Sequence, residues 1–271
     1  MRAPAPAKIN LALVVGPLRP DGKHELLTVY QRIALADRIE LVPADRTQVD
    51  GFAEDTLVGD ALRRLAAHAG ATQHWRVRID KKIPVAAGLG GGSSDAATAL
   101  RLANDTLDEP VPREELLDLA AELGADVPYF LADGPHLGSG DGSTLAPLDL
   151  PQDYWIVLAL PHGARKSSTG DVYAAFDARE GAHDFEARRA ALLDALDGVR
   201  RPRDLAALPA NDLASSPLAD ELRALGAFRA DVSGAGPVVY GLFHHRATAK
   251  VARRSLGRAA RTWLTAPAWY G

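Results

Sequence analysis

Hydrophobic and polar positions alternate near the start of the chain. In AKINLALVV (7–15), Ile9, Leu11, Leu13 and Val15 fall on one face, while Lys8, Asn10 and Ala12 fall on the other. That is the period of a β-strand. RPDGKH (19–24) carries a Pro-Asp-Gly turn signal. LLTVYQRIALADRIELV (26–42) reads as two strands broken near Ala36 and Asp37. The spacing then predicts a helix over 56–68, a short alternating strand in WRVRID (75–80) and a helix over 93–104. A further helix, about 112–123, has a proline in its first turn and stops at Gly124. HLGSGDGSTL (136–145) is a turn between short strands.

Near residue 150 the pattern resets with a prolyl stretch and a new apolar strand in LDLPQDYWIVLALP. Helical segments follow near 168–177, 184–197 and 216–225. DVSGAGPVVYGLF (231–243) is a glycine turn plus a strand, and a last helix (about 245–257) and a last strand finish the chain. Strands and helices mix without regular βαβ alternation. The expected class is therefore α+β in two lobes, residues 1–150 and 151–271.

Composition narrows the function. A chain of 271 residues, 47% hydrophobic and 24% charged, is ordinary globular material. Its net charge of −4 argues against a basic nucleic-acid binder. The lack of cysteine excludes disulfides, thiolate metal sites and a cysteine nucleophile, and fits a reducing compartment. No apolar run approaches ~20 residues, so no membrane span is expected. The start lacks a signal peptide's apolar core, and a cytoplasmic protein is expected. The eight histidines show no metal-ligand spacing. Only six of the 31 basic residues are lysines (8, 23, 81, 82, 166 and 250), so each stands out.

KKIPVAAGLGGGSSDAATAL (81–100) holds four glycines in five positions, between a predicted strand and a predicted helix. The plain alternative is a flexible connector. However, glycines remove every Cβ from an approaching anion, and a helix start offers unpaired N–H groups and about half a positive charge. Ser93 and Ser94 are good N-cap types with hydroxyls to spare. Asp95 in the first helical turn runs against this, since it repels a phosphate unless turned aside or towards a metal ion. The parts are those of a phosphate cradle. It is not a P-loop, because no lysine follows Gly92. It is not a Rossmann turn either, because the spacing is Gly88-x-Gly90-x-Gly92 and the helix after the loop leads to another helix, not to the second strand of a βαβ unit.

IPVAAGLGGGSSDAA resembles the phosphate-binding loop of the GHMP kinase superfamily. PAKINLAL (6–13), RPDGKHEL (19–26), LADRIEL (35–41), GADVPYFL (124–131), STGDVY (168–173), NDL (211–213) and VSGAGP (232–237) resemble one branch of it. The acceptor of that branch is a cytidine-diphosphate-linked sugar alcohol of non-mevalonate isoprenoid synthesis. The stretches run in the family's order over nearly the whole chain. The resemblance implies the two-lobed GHMP kinase fold, with a mixed-sheet N-terminal lobe and an α/β sandwich-like C-terminal lobe. It also implies an ATP site at Pro84, Val85, Ala86, Ala87, Gly88, Leu89, Gly90, Gly91, Gly92, Ser93 and Ser94. Mg²⁺ comes in through the ATP phosphates, with Ser94 as the protein contact.

Phosphoryl transfer to an alcohol needs a held γ-phosphate, an activated hydroxyl, and positive charge where negative charge builds up. Asp126, just past a helix stop among apolar residues, is the candidate for the second need; the plain alternative is a turn or cap residue. Lys8 is the candidate for the third, and shares a strand face with Asn10; the plain alternative is the solvent side of an edge strand. By resemblance Lys8 pairs with Asp126 and keeps it ionised.

The resemblance also assigns the cytidine end of the acceptor to His24, Tyr30, Thr169 and Tyr173, with Asn10 nearby. Lys23 stands where the branch usually has an aromatic, so activity is expected to persist with altered affinity. In Glu54-Asp55-Thr56-Leu57 the family's usual asparagine near adenine is missing, and adenine contacts there are not assumed. For Ser233-Gly234-Ala235-Gly236, a plain turn and a role closing the cleft are evenly matched. The rivals are a sister kinase for homoserine or mevalonate, and a catalytically silent nucleotide-binding module. The expected partners are small molecules, with no nucleic acid and no membrane, and the expected assembly is a monomer or a weak homodimer.

Overall fold

The computed structural model describes residues 1–53, 57–164 and 168–268. It opens on two long strands, β1 (Arg2–Leu18) and β2 (His24–Ala44), which pair with each other. Residues 5–16 of β1 are all buried, so its two faces are both interior. The alternation in 7–15 therefore does not mark a wet face: Lys8 and Asn10 are each only 4% exposed. The expected break at Ala36 and Asp37 does not occur either, and β2 runs straight through. A polar residue inside a strand looks like a stop, but Asp37 is hydrogen-bonded from several sides and stays buried.

The chain packs as two units, each drawn from several stretches: Met1–Ala7, Leu35–Val85 and Gly90–Asp133 in one; Lys8–Ala34, Ala86–Leu89 and Gly134–Gly271 in the other. In the first, β3 (Gln48–Asp50) lies parallel to β4 (His74–Asp80), which pairs antiparallel with residues 38–44 of β2. β4 alternates strictly, with Trp75, Val77 and Ile79 inward. Helices α1 (Leu57–His68), α2 (Gly91–Asn104), α3 (Arg113–Leu123) and α4 (Val127–Leu131) complete this unit. Val58, Ala61, Leu62 and Leu65 give α1 one apolar stripe, and it packs on α2. Four buried alanines (96, 97, 99 and 103) let other elements come close to α2.

In the second unit, residues 26–30 of β2 pair with β5 (His136–Gly140), and β5 pairs with β6 (Thr144–Pro147). The strands β7 (Trp155–Pro161), β8 (Arg229–Val232), β9 (Val239–Phe243) and β10 (Ala260–Thr265) form an antiparallel sheet in the order β10-β7-β9-β8. Helices α5 (Thr169–Ala178), α6 (Phe185–Asp197), α7 (Pro217–Ala224) and α8 (Arg246–Ser255) follow the expected positions within a few residues. Leu222, Ala249 and Ala252 join Val157, Val239 and Phe243 in the core. Among the described residues no helix is long and apolar enough to cross a membrane. Glu54, Asp55 and Thr56, where the family's adenine-side asparagine was sought, lie outside the described residues, as does the first residue of the helix expected over 56–68.

Candidate active site

The glycine loop enters from β4 and ends in α2. The helix begins at Gly91, two residues before the expected start, so Ser93 and Ser94 lie inside it and do not cap it. The capping position is Gly90, in the left-handed region at φ 67°, where an L side chain would be strained. Gly90 supplies no side-chain cap, so the first amides of α2 stay available to a ligand. Ser94 is fully buried, and its Oγ has no hydrogen-bond partner among the described residues; the same holds for Asp95 Oδ1.

Asp95 belongs to a buried ion cluster. Lys81 Nζ donates to Asp95 Oδ2 at 2.7 Å and to Asp37 Oδ2 at 2.6 Å. Two carboxylates share one ammonium. Burial pushes the Asp95 carboxyl up to about 7, Lys81 opposes that, and the second carboxylate adds to it. Burial alone would pull the Lys81 ammonium down, yet its two acidic partners hold it above the ordinary lysine range. The two shifts have different main causes: burial for the Asp95 carboxyl, and the two acidic partners for the Lys81 ammonium.

Asp126 stands at the capping position of α4, between the glycine that stops α3 and the buried Val127, Pro128 and Tyr129. Its carboxylate makes no capping hydrogen bond. The plain reading of this aspartate as a helix cap is therefore not what the side chain does.

In the second unit, a polar chain runs through the buried middle of β1. Lys8 Nζ donates to Asn10 Oδ1 at 2.7 Å, Asn10 Nδ2 donates to Thr28 Oγ1 at 2.8 Å, and Thr28 Oγ1 donates to the Ala12 carbonyl at 2.8 Å. Lys8 Nζ also sits 5.4 Å from the centre of the Tyr30 ring. The backbone joins this strand to the loop, since Lys8 N–H donates to the Leu89 carbonyl at 2.9 Å. Ser233 reinforces the link. Its Oγ accepts from Asn10 N–H at 3.3 Å and donates to the Gly88 carbonyl at 2.8 Å. A Cβ on Gly88 would come within 2.2 Å of the Ser233 carbonyl oxygen, so only glycine allows this approach.

The residues expected around a base divide into groups. His24 stacks on Tyr173 at 5.0 Å and meets Phe176 edge-on at 5.8 Å. Its Nδ1 donates to the Gly16 carbonyl at 2.8 Å, and its Nε2 lies 3.4 Å from Asp177 Oδ1. Thr169 opens α5 exposed, one turn before Tyr173 on the same helix face. Tyr30 and Asn10 gather with Lys8. Lys23 is surface-exposed and bonded to Asp141 at 2.5 Å. Burial acts to raise the Asp141 carboxyl, but Lys23 and Ser143 overcome it and hold it down at about 2. Thr28 carries no signal in the sequence, and the hydrogen bonds made by Ser233 and Asp37 are not legible there either. Their partners lie far along the chain, and no local spacing signals them.

The chain matches the family models "GHMP kinases N terminal domain" over residues 56–134 and "GHMP kinases C terminal" over residues 183–261. It is 42% identical over 254 residues to the 4-diphosphocytidyl-2-C-methyl-D-erythritol kinase of Nocardia farcinica, covering 86% of this chain and 81% of that one. Among solved structures, a 4-(cytidine 5'-diphospho)-2C-methyl-D-erythritol kinase is 33% identical and superposes with a TM-score of 0.79. The match covers 99% of this chain and 100% of that one. The mevalonate kinase of Methanococcus jannaschii, 13% identical with a TM-score of 0.74 over 99% of this chain and 98% of that one, shares the fold.

Proposed function

The chain belongs to the 4-diphosphocytidyl-2-C-methyl-D-erythritol kinase family of the GHMP kinases, and from that premise we propose its acceptor and the residues that do the chemistry. It is an ATP-dependent small-molecule kinase. The proposed reaction moves the γ-phosphoryl group of ATP to the 2-hydroxyl of 4-diphosphocytidyl-2-C-methyl-D-erythritol. The products are the 2-phosphate and ADP, in non-mevalonate isoprenoid precursor synthesis.

The ATP phosphates bind along residues 84–94, where the loop amides and the start of α2 supply donors. Asp126 orients the acceptor hydroxyl and takes its proton. Lys8 supplies the positive charge that the transition state needs, held by Asn10. His24, Tyr173 and Thr169 take the cytosine end, Tyr30 and Asn10 the region beside Lys8, and Lys23 the outer edge. One observation carries this reading: a buried ammonium, bonded to Asn10, on a strand whose own backbone grips the glycine loop at Leu89. A lysine on the solvent side of an edge strand has no such setting.

Ser94 Oγ, buried and without a hydrogen-bond partner among the described residues, fits a hard cation that prefers oxygen, and Ser94 is the residue that would hold Mg²⁺. Mg²⁺ held there would supply positive charge against the ATP phosphates. Among the described residues, no group of three His, Cys, Asp or Glu side chains is placed to hold a metal ion. The domain boundary is proposed near residue 150, between the two matched stretches, and the location in the cytoplasm.

The test is ADP release with the cytidine-diphosphate acceptor, homoserine and mevalonate offered separately. Turnover with the first alone is expected. Turnover with homoserine or mevalonate at equal or greater kcat/KM would overturn the acceptor. Tight ATP binding without ADP release from any of them would mean a silent nucleotide-binding module.

A further inference from the structure

LADRIEL (35–41) is part of the family resemblance, yet nothing in the proposed reaction uses it. Its aspartate is 1% exposed inside β2. Burying a carboxylate is costly unless every lone pair has a donor, and Asp37 is supplied from two sides. Oδ1 accepts the successive backbone N–H groups of Lys82 and Ile83, the latter at 2.8 Å. Oδ2 accepts Lys81 Nζ at 2.6 Å, and the same ammonium reaches Asp95 on α2 at 2.7 Å. The Phe52 ring lies 5.5 Å from Lys81 Nζ. Three elements are thus tied at one point: the strand β2, the loop entry just beyond β4, and the first turns of α2.

The tie lies close to the binding amides. A Cβ on Gly91, the first residue of α2, would come within 3.4 Å of Lys81 Nζ and 3.1 Å of the Ile83 side chain. The cluster therefore sits directly against the start of the helix. Two carboxylates meet one ammonium there, more acid than a single ion pair needs. A buried ionic group is better suited to fixing a register. The two amides on Oδ1 set where the chain leaves the sheet, and so where the following loop donors point.

We propose that Asp37 is a positioning residue for nucleotide binding, which sets the glycine loop and the start of α2 through the Lys82 and Ile83 amides. The inference rests on the reading of residues 84–94 as the ATP site. Two variants separate position from charge. Asp37→Asn keeps an oxygen of the same reach for the two amides, and leaves Lys81 and Asp95 as a one-to-one pair. Asp37→Glu keeps the charge but is one carbon longer, which displaces the loop entry.

The readouts are the ADP dissociation constant by calorimetry with Mg²⁺ present, and the KM of the acceptor. Asp37→Glu should weaken ADP about tenfold or more and leave the acceptor KM within about twofold; Asp37→Asn should stay within about threefold of the parent for ADP. A purely electrostatic role predicts the reverse order. Parent-like ADP binding by Asp37→Glu would overturn the inference, as would equal weakening of ADP and acceptor. If either variant fails to fold, the other decides: a tenfold loss in Asp37→Asn alone also overturns it. A parent that binds no ADP would sink the nucleotide reading itself, whereas a parent and an Asp37→Glu variant that bind it equally sink only the role of Asp37.

Discussion

Lys8 concentrates the residue-scale problem. A side chain that is ordinarily solvated is 4% exposed in the middle of a strand, with Asn10 as an acceptor and the Tyr30 ring nearby. Fixing an ammonium this way limits its motion and keeps its charge where a phosphoryl group can use it. Lys8→Ala should lower kcat by about 10²–10³-fold with ADP affinity close to that of the parent, as read by steady-state kinetics and calorimetry. A fall in kcat of less than about threefold would remove Lys8 from the chemistry. The shared face of Lys8 and Asn10 was legible from the period of two alone. Their support was not. Thr28 and Ser233 lie 18 and 223 positions from Asn10 in the chain, and no pattern in 7–15 points to them.

At the scale of elements, glycine misled sequence reasoning about where α2 begins. Glycine is a poor helix former, at a cost of about 1 kcal/mol relative to alanine, so the helix was expected only after Gly92. The structure differs: Gly91 and Gly92 are both helical, and a Cβ on Gly91 would crowd the Ile83 side chain at 3.1 Å, whereas Gly92 has ordinary room. The uninterrupted course of β2 was not legible either, since the partners of Asp37 lie more than forty residues away. Long periodic segments such as α1, β4 and α3 were readable, because their apolar spacing is local. Gly88 tests the loop directly. At φ 81° and with the Ser233 carbonyl 2.2 Å from any added Cβ, Gly88→Ala should cost at least about 2 kcal/mol and raise the KM for ATP, as measured by denaturant unfolding and kinetics. A variant with unchanged stability and unchanged KM would mean that the loop is not held as described.

At the scale of the whole molecule, the two units are each interleaved along the chain, which composition and periodicity alone do not reveal. β1 and β2 each contribute residues to both. Stability at high pH is expected to depend on Tyr240, fully buried in the second unit. Its hydroxyl donates to the Leu11 carbonyl at 3.1 Å and accepts from Arg229 Nε at 3.1 Å. Burial pushes the hydroxyl from 10.0 to about 12 against the pull of Arg229. The folded chain thus keeps a proton that the unfolded chain releases first. This contribution is complete below pH 10 and fades as pH rises towards about 12, by roughly 1.4 kcal/mol per pH unit. Tyr240→Phe should be about 1 kcal/mol less stable at neutral pH and should flatten that alkaline fall, read from unfolding midpoints. An alkaline slope equal to that of the parent would contradict this.

The kinase reading assigns the acceptor's proton to a carboxylate that makes no capping bond at the start of α4. Asp126→Asn keeps the shape of that side chain and removes its charge and basicity. Its kcat with ATP and the cytidine-diphosphate acceptor, measured beside its ADP dissociation constant, probes the chemistry separately from nucleotide binding. The account predicts a kcat lower by orders of magnitude with ADP binding within about threefold of the parent. Turnover at the parent's rate would contradict it.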